Sequence, residues 1–482
     1  MKKFIIVMAI TILLFAFLGT FIEKSKENKV NDVDSIVMSI ESLENDLELN
    51  LGSSKDTENI ICATCRGLVK LNNNNEVILD LAKDLEISSD GIEYKFTLKD
   101  DACWSNGEKI KTEEVVLYFK SLIQRSENKD IKALLEIYGV NKFKEEKVDF
   151  EKYVAITSDE NSIRIRLNKK NDDFLTELSK PQYRLRKNIS LWNNIKGNYK
   201  RIVYSGDYHI SEVKEDSIKL KSNLKECDKE IIMIRDDNKE NSMASYEIGD
   251  RDIVVDVPIS QVTRLEHNNR ILSSPSGEGL YVAINSQKMS LEMRKEFIKG
   301  LYKAAQEYYD ENQKSVKFSE GSYFEDEMDD INKLQSRKVS ISDSEKNTAL
   351  NSINILIQKE DVSEDFVRFL INYFKENKEI NITYEEDDGE DKLENSGRFH
   401  MALLRLKEKS VSKNKLFEEM KNVFLKENSQ YFLEGANIED KIFNSYIGVP
   451  IMFIDRNIAV SDKVGNIRLD GNGNVDFSGV NQ

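Results

Sequence analysis

Proline is confined to Pro181, Pro258, Pro275 and Pro450 in 482 residues, while Lys, Asn and Ile abound, a bias of the kind an AT-rich bacterial genome produces. Cysteine is equally sparse, at four. A chain of this length has ample residues for several cores and needs no disulfide framework. Cys62-Ala63-Thr64-Cys65 has the spacing of a redox or metal half-site, but no second pair and no nearby histidine completes it. Outside the membrane these thiols and Cys103 and Cys227 could pair; structural or incidental thiols are the expectation. The three histidines, His209, His267 and His400, lie far apart in no metal-ligand spacing, and no Gly-x-Ser-x-Gly elbow is present. His400 falls in a strand pattern and reads as a satisfied structural histidine. No enzyme, no metal and no cofactor is therefore expected. Positive charge is also short: the net charge is −16, with no Lys/Arg stripe interleaved with aromatics, so a polyanion would be repelled. The Asp470–Asp476 tail imitates part of a calcium loop, but Val475 stands where glycine is needed and no closing Glu follows; it reads as a turn.

What is there suggests roughly three domain-sized units. Hydrophobic residues make up 39%, charged residues 32% and aromatics 9%, and the aromatics argue against disorder. At the N-terminus, Lys2 and Lys3 precede an uncharged run from Phe4 to Ile22, followed at once by Glu23, Lys24 and Lys26. Nineteen residues rising about 1.5 Å each come close to the ~30 Å hydrocarbon core. The basic leader stays inside and places the remainder outside. Residues 1–22 are thus expected to be an uncleaved signal-anchor helix, with 23–34 as tether. A cleaved signal peptide is the alternative, although Ala16-Phe17-Leu18-Gly19 lacks a clean small-x-small site. No cysteine follows the run, so lipid attachment there is ruled out.

Along the chain, Ile36–Ile40 begins the folded region as a strand. Leu68–Leu71 and the Asn72–Asn75 run read as one arm and the turn of a hairpin. Ser88–Gly91 is a turn into the alternating strand Tyr94–Leu98, and Thr112-Glu113-Glu114 opens a helix bearing Val115, Val116, Phe119 and Leu122. Strands are expected at Ile163–Leu167 and Ile218–Leu220, and an amphipathic helix at Met293–Tyr309. Strand Ile353–Ile357, helix Glu364–Glu376 and strand Ile380–Tyr384 make a β-α-β order, which implies a parallel, helix-covered sheet. Glu385–Asp391 reads as an acidic surface loop, Leu416–Leu425 as a helix, and Val449–Ile454 as a strand entering a polar tail.

Several landmarks occur in a fixed order: Cys65-Arg66-Gly67-Leu68, Asp80-Leu81-Ala82, Ser89-Asp90-Gly91, and Trp104-Ser105-Asn106-Gly107 with Glu113–Val116. Ser205-Gly206-Asp207-Tyr208, Gly249-Asp250-Arg251-Asp252-Ile253, Tyr281–Asn285 with Arg294, Phe399-His400-Met401, Val449-Pro450 and Asp476-Phe477-Ser478 follow. Each is weak alone. Together, over about 420 residues, they resemble the family 5 extracellular solute-binding proteins, which serve peptide, dipeptide and nickel importers.

The resemblance implies an α/β, two-lobed, type II periplasmic-binding-protein-like clamp that holds a peptide or other small solute between its lobes. It implies delivery to the permease subunits of an ABC importer at the outer face of the cytoplasmic membrane. Lobe one would comprise 35–260, with an extra subdomain at 66–165, and the return segment 445–482; lobe two would be 261–444. The ligand-contacting residues it suggests are Arg66, Tyr204, Ser205, Leu403 and Arg405.

Three departures fall where the family contacts its ligand. The family Glu before Gly-Leu is Arg66, the strand Asp is His400, and the Gly-Trp after it is Arg405-Leu406. The acidic loop that holds a peptide's α-amine is replaced by the basic stretch Lys407–Lys413. An amine needs a carboxylate partner when desolvated. The cleft is either retuned to an anionic ligand gripped by arginine forks, or the arginines face solvent and affinity is lost. A receptor or scaffold that keeps the clamp fold is the alternative to solute capture.

Overall fold

The computed structural model describes residues 35–48, 54–146, 148–224, 229–313, 315–328, 351–358, 361–387, 396–407, 413–424 and 438–481, with a few single positions between them. The Phe4–Ile22 run, the 23–34 tether, Cys227 and most of the basic stretch after Lys407 lie outside the described residues. Among those described, no helix is long and apolar enough to cross a membrane.

Strand β1 (Ser35–Ile40) buries Ile36, Met38 and Ile40 by simple alternation. It leads to helix α1 (Lys55–Thr64), opened by Ser54, whose side chain accepts from the amides of Asp56 and Thr57. β2 (Val69–Leu71) and β3 (Val77–Leu79) form the expected hairpin. The asparagine run closes it because the Asn72 side chain accepts from the amides of Asn74 and Glu76.

β4 (Ala82–Ile87) and β5 (Glu93–Leu98) then join β6 (Ile156–Ser158) and β7 (Ser162–Arg166) in a small antiparallel sheet ordered β4-β5-β7-β6. Helix α2 (Thr112–Arg125) lays Val115, Phe119 and Leu122 into the core beside that sheet. The Glu114 carboxylate reaches back to the Lys111 amide and also accepts from the Trp104 indole, tying the helix start to the preceding turn.

β8 (Tyr208–Val213), β9 (Ser217–Ser222) and β10 (Glu230–Arg235) form an antiparallel meander whose last strand runs parallel to β1. β11 (Ile253–Val255) flanks β1 on the other side. β12 (Ile271–Ile284) leads into helix α3 (Leu291–Glu311), capped by Ser290. β13 (Val316–Phe318), β14 (Ser352–Gln358), helix α4 (Asp361–Lys378), β15 (Asn381–Asp387), β16 (Met401–Lys407) and helix α5 (Lys413–Val423) follow. β17 (Gly448–Val460) precedes the small hairpin β18 (Arg468–Leu469) and β19 (Val475–Asp476).

The main sheet runs β15-β14-β16-β12-β17-β11-β1-β10-β9-β8, with β13 paired to β17. β14 is parallel to β15, as the β-α-β pattern implied, and α4 covers them with Phe366, Val367, Leu370 and Phe374. Phe374 stacks on Phe297 of α3 at 5.0 Å between centroids. The sheet serves two cores: one around β14, β16 and the α3–α4 pair, the other around β1, β8–β10 and the C-terminal hairpin. β12 and β17 belong to both, because they pair along almost their whole length. Their register shifts between Pro275 and Glu278, where Gly277 takes φ +72 and the Ser276 hydroxyl donates to the Ile454 carbonyl at 2.6 Å. A bulge bends a strand, so the turn from one core to the other lies there.

Two expectations need correcting. The strand from Val449 does not stop at Ile454 but continues to Val460. Asp455, Arg456 and Asn457 interrupt the apolar run, yet each finds a polar partner: Lys317 faces Asp455, Arg456 donates to Asp256, and Asn457 accepts from Ser273. Likewise Glu385–Asp387 is the end of β15 rather than a loop, because the ladder with Leu356–Gln358 holds it extended; residues 388–391 lie outside those described.

Candidate functional site

Helix α1 ends at Cys65, and the chain turns through Arg66 and Gly67 into the hairpin β2–β3. Three other segments meet that turn. The first is the end of β3, where one Asp80 oxygen accepts from Arg66 Nε at 2.8 Å and the other from the Gly67 amide at 3.0 Å. The second is Ser205–Tyr208: the Ser205 hydroxyl accepts from the Arg66 amide at 3.0 Å and donates to the Leu185 carbonyl at 2.7 Å. Gly206 must be glycine here, since a Cβ would lie 2.4 Å from the Thr64 carbonyl carbon. The third is the C-terminal hairpin, which brings Asp470, Asp476 and Phe477 alongside.

These segments enclose a cavity of about 230 Å³ whose wall is mostly polar. Three ion pairs line it: Arg66–Asp80 at 2.8 Å, Lys70–Asp476 at 3.2 Å and Arg184–Asp470 at 3.5 Å. Arg184 and Asp470 are almost wholly buried. The guanidinium also donates to the carbonyls of Cys62 and Cys65, so it fastens the end of α1 to the C-terminal hairpin. Burial pushes the Asp470 carboxyl up, against the pull of Arg184. For Asp476, burial is outweighed by Lys70 and by hydrogen bonds from Ser478, and its carboxyl titrates below its ordinary value. Asp207 also lines the cavity; burial raises its carboxyl, with Arg66 acting in opposition.

Of the residues singled out from sequence, Arg66, Tyr204 and Ser205 come together, and only Arg66 lines the cavity. Tyr204 is buried, its hydroxyl donating to the Tyr199 carbonyl. Leu403 and Arg405 lie elsewhere, on β16. Leu403 is buried opposite Val282. Arg405 donates through Nε to Glu278 at 2.6 Å, across the β12–β16 ladder. Each arginine thus already has a carboxylate partner within the chain, a different arrangement from two open forks converging on an anion. Cys62, Cys65 and Cys103 are free thiols. Burial lifts the Cys65 thiol to about 11 and Cys62 higher still, so neither is a ready nucleophile. His400 accepts from the Asn354 amide at 3.1 Å, and burial lowers its pKa, the environment of a structural histidine. No cluster of metal-ligating side chains occurs among the described residues.

Sequence reasoning missed Lys70, Lys99, Arg184, Asp207 and Asp470 as site residues. One signal could have found several of them. Four of the ordered landmarks, at Arg66, Asp80, Asp207-Tyr208 and Asp476–Ser478, converge on this one cavity.

Residues 76–299 match the family described as bacterial extracellular solute-binding proteins, family 5, middle region. Solved structures share the described fold along nearly the whole chain. The murein tripeptide-binding protein MppA of Escherichia coli superposes with a TM-score of 0.58 at 14% identity, covering 91% of this chain and 96% of that one. The middle of the chain, residues 76–299, is thus similar to family 5. Two further solved structures share the fold. A periplasmic oligopeptide-binding protein of Borrelia burgdorferi gives a TM-score of 0.58 at 16% identity, covering 89% and 95% of the two chains. Listeria monocytogenes OppA, solved with bound peptide, gives 0.57 at 13%, covering 93% and 98%. A short stretch is 37% identical over 57 residues to a dipeptide-binding protein of Lactococcus lactis. That stretch spans 12% of this chain and 10% of the relative.

Proposed function

We propose that the chain captures a short peptide or similar small solute outside the cytoplasmic membrane and hands it to the permease subunits of an ABC importer. The observation that carries this is the family 5 match joined to a full-length likeness to peptide-binding proteins. In this reading 35–260 and 445–482 form one lobe, with 66–165 as its subdomain, and 261–444 form the other. β12 and β17 are the connection about which the lobes close. A solute that binds the closed arrangement better shifts the population toward it. The Phe4–Ile22 run holds the clamp at the membrane surface.

Arg66, Tyr204 and Ser205 belong to the wall of lobe one, Leu403 and Arg405 to the facing lobe. All the cavity's lining residues come from lobe one and its C-terminal return. A charged, half-enclosed wall of this kind fits a polar guest better than an apolar one. No observation favours the receptor or scaffold that has lost its pocket. Thermal unfolding of the purified chain against pools of two- to five-residue peptides tests the proposal. A raised midpoint with at least one pool is expected, since a ligand at a hundred times its Kd adds about 2.7 kcal/mol. No shift with any pool removes the reading.

A further inference from the structure

Arg456 lies on β17 directly opposite Ser274 of β12, next to the register shift that follows Pro275. Its guanidinium is only partly used. Nε donates to Asp256 at 3.1 Å and Nη1 to the Gly473 carbonyl at 3.3 Å, while Nη2 is buried without a partner. Asp56, in the first turn of α1, has the complementary shortfall. One of its oxygens accepts from the amides of Glu41 and Ser42 at 2.9 and 3.0 Å, and the other, Oδ1, is buried without a partner. The two side chains belong to residues only 4% and 5% exposed, and each acts on the other through its charge, although no hydrogen bond joins them. Buried polar atoms rarely stay unpaired. The Ser274 hydroxyl and both side-chain amide atoms of Asn474, the residue after Gly473, are also buried without partners, so a guanidinium that shifts here displaces none of their bonds.

We propose that Arg456 is a two-position strut: it rests on Asp256 and Gly473 while Asp56 carries a proton, and turns Nη2 to Asp56 Oδ1 when that proton leaves. The first position anchors the β12–β17 connection to the turn after β11 and to the C-terminal hairpin. The second anchors it to α1. The inference rests on the reading of those strands as the connection between lobes, and makes its anchorage depend on pH. The other charged groups around Asp56 are committed: Lys55 pairs with Glu58 and donates to the Asn472 carbonyl, Asp470 faces Arg184, and Glu41 faces Lys239. Asp256 favours the proton on Asp56 and Arg456 opposes it. An ionised oxygen buried without a donor is costly, so loss of the proton draws the unused N–H of Arg456. Burial lifts the Asp56 carboxyl to about 6 in the arrangement seen here, so the proton leaves between about pH 5 and about pH 7.5.

Double-mutant cycles, read by urea unfolding of the full chain at about pH 5 and about pH 7.5, test this. Arg456→Gln with Asp256→Asn should show coupling on the order of tenfold in the unfolding constant at the lower pH and little at the higher. Arg456→Gln with Asp56→Asn should show the reverse. A fixed Arg456–Asp256 pair gives the same coupling at both pH values, and that result overturns the inference. So does a lack of coupling between Asp56 and Arg456 at the higher pH. Should a variant fail to fold, crystals of the unaltered chain grown at both pH values decide. The guanidinium is expected on Asp256 at the lower pH and on Asp56 at the higher, and an unmoved guanidinium overturns the strut. No outcome here depends on a peptide, so failure of the strut leaves capture standing, and capture can fail in the thermal screen without touching the strut.

Discussion

The part of the molecule built on β14, β15 and β16 and the part built on β1 and β8–β10 share one sheet, yet they are filled differently. The first is sealed by hydrocarbon: Ile353, Ile355, Phe366, Leu370 and Phe374 meet α3 through Phe297, Ile298 and Leu301. The second holds buried charge at its heart, with Arg184, Arg186, Asp56 and Asp470 all nearly inaccessible. Arg186 is typical: it donates to the carbonyls of Leu47 and Glu48 and to the Tyr118 hydroxyl, and so holds together segments that have no strand between them. Apolar burial contributes stability without much direction, whereas a paired, hydrogen-bonded charge fixes which segments meet. Buried arginines edge the first core too, at Arg294 and Arg337, but the charges that line the cavity belong to the second.

That contrast can be broken at four places of decreasing effect. Phe366→Ala empties a fully buried site in the apolar half. It should cost about 3–5 kcal/mol in urea unfolding while leaving peptide affinity within about twofold, as titration would show. Arg184→Met leaves Asp470 buried without its cation and should cost about 3 kcal/mol, a large part of it recovered in the Arg184→Met/Asp470→Asn double variant. It should also loosen the cavity wall, so here stability and affinity fall together.

Asp56 should make the charged half pH-sensitive. Burial lifts its carboxyl from 3.8 to about 6, opposed by the amides of Ser42 and Glu41 and by Arg456, with Asp256 adding to the rise. The folded state then holds the proton more tightly than the unfolded chain. The stability this group contributes is complete below pH 3.8 and is lost as pH rises through about 6. Asp56→Asn should flatten that window, with a difference of up to about 3 kcal/mol across it, measured by urea midpoints between pH 4 and pH 7. Lys83→Ala, which removes an exposed partner of Asp100, should change stability by less than about 0.5 kcal/mol.

Much of the fold could be read from the sequence where periodicity does the specifying. Ile353–Ile357, the helix after it and Ile382–Tyr384 are apolar at the right intervals, and their parallel pairing follows from that order. Reading failed where a polar residue is satisfied from far away. Arg456 and Asn457 look like the end of a strand until Asp256 and Ser273, some two hundred positions earlier, are brought opposite. The candidate site shows the same limit more sharply. Arg66 stood out because it replaces an acid in a known motif, but its partner Asp80 was noted only as a landmark, and Arg184 carried no local signal at all. Ion pairs formed across 14, 286 or 406 positions leave no period in a sequence; only the fold reveals which charges are matched.

Capture of a small solute is tested most directly by native mass spectrometry of the freshly purified chain, followed by release and identification of whatever it carries. A bound mass in the range of short peptides, lost on denaturation and restored by adding the identified compound, is the predicted result. A chain that emerges empty and stays empty after exposure to short peptides would contradict the account.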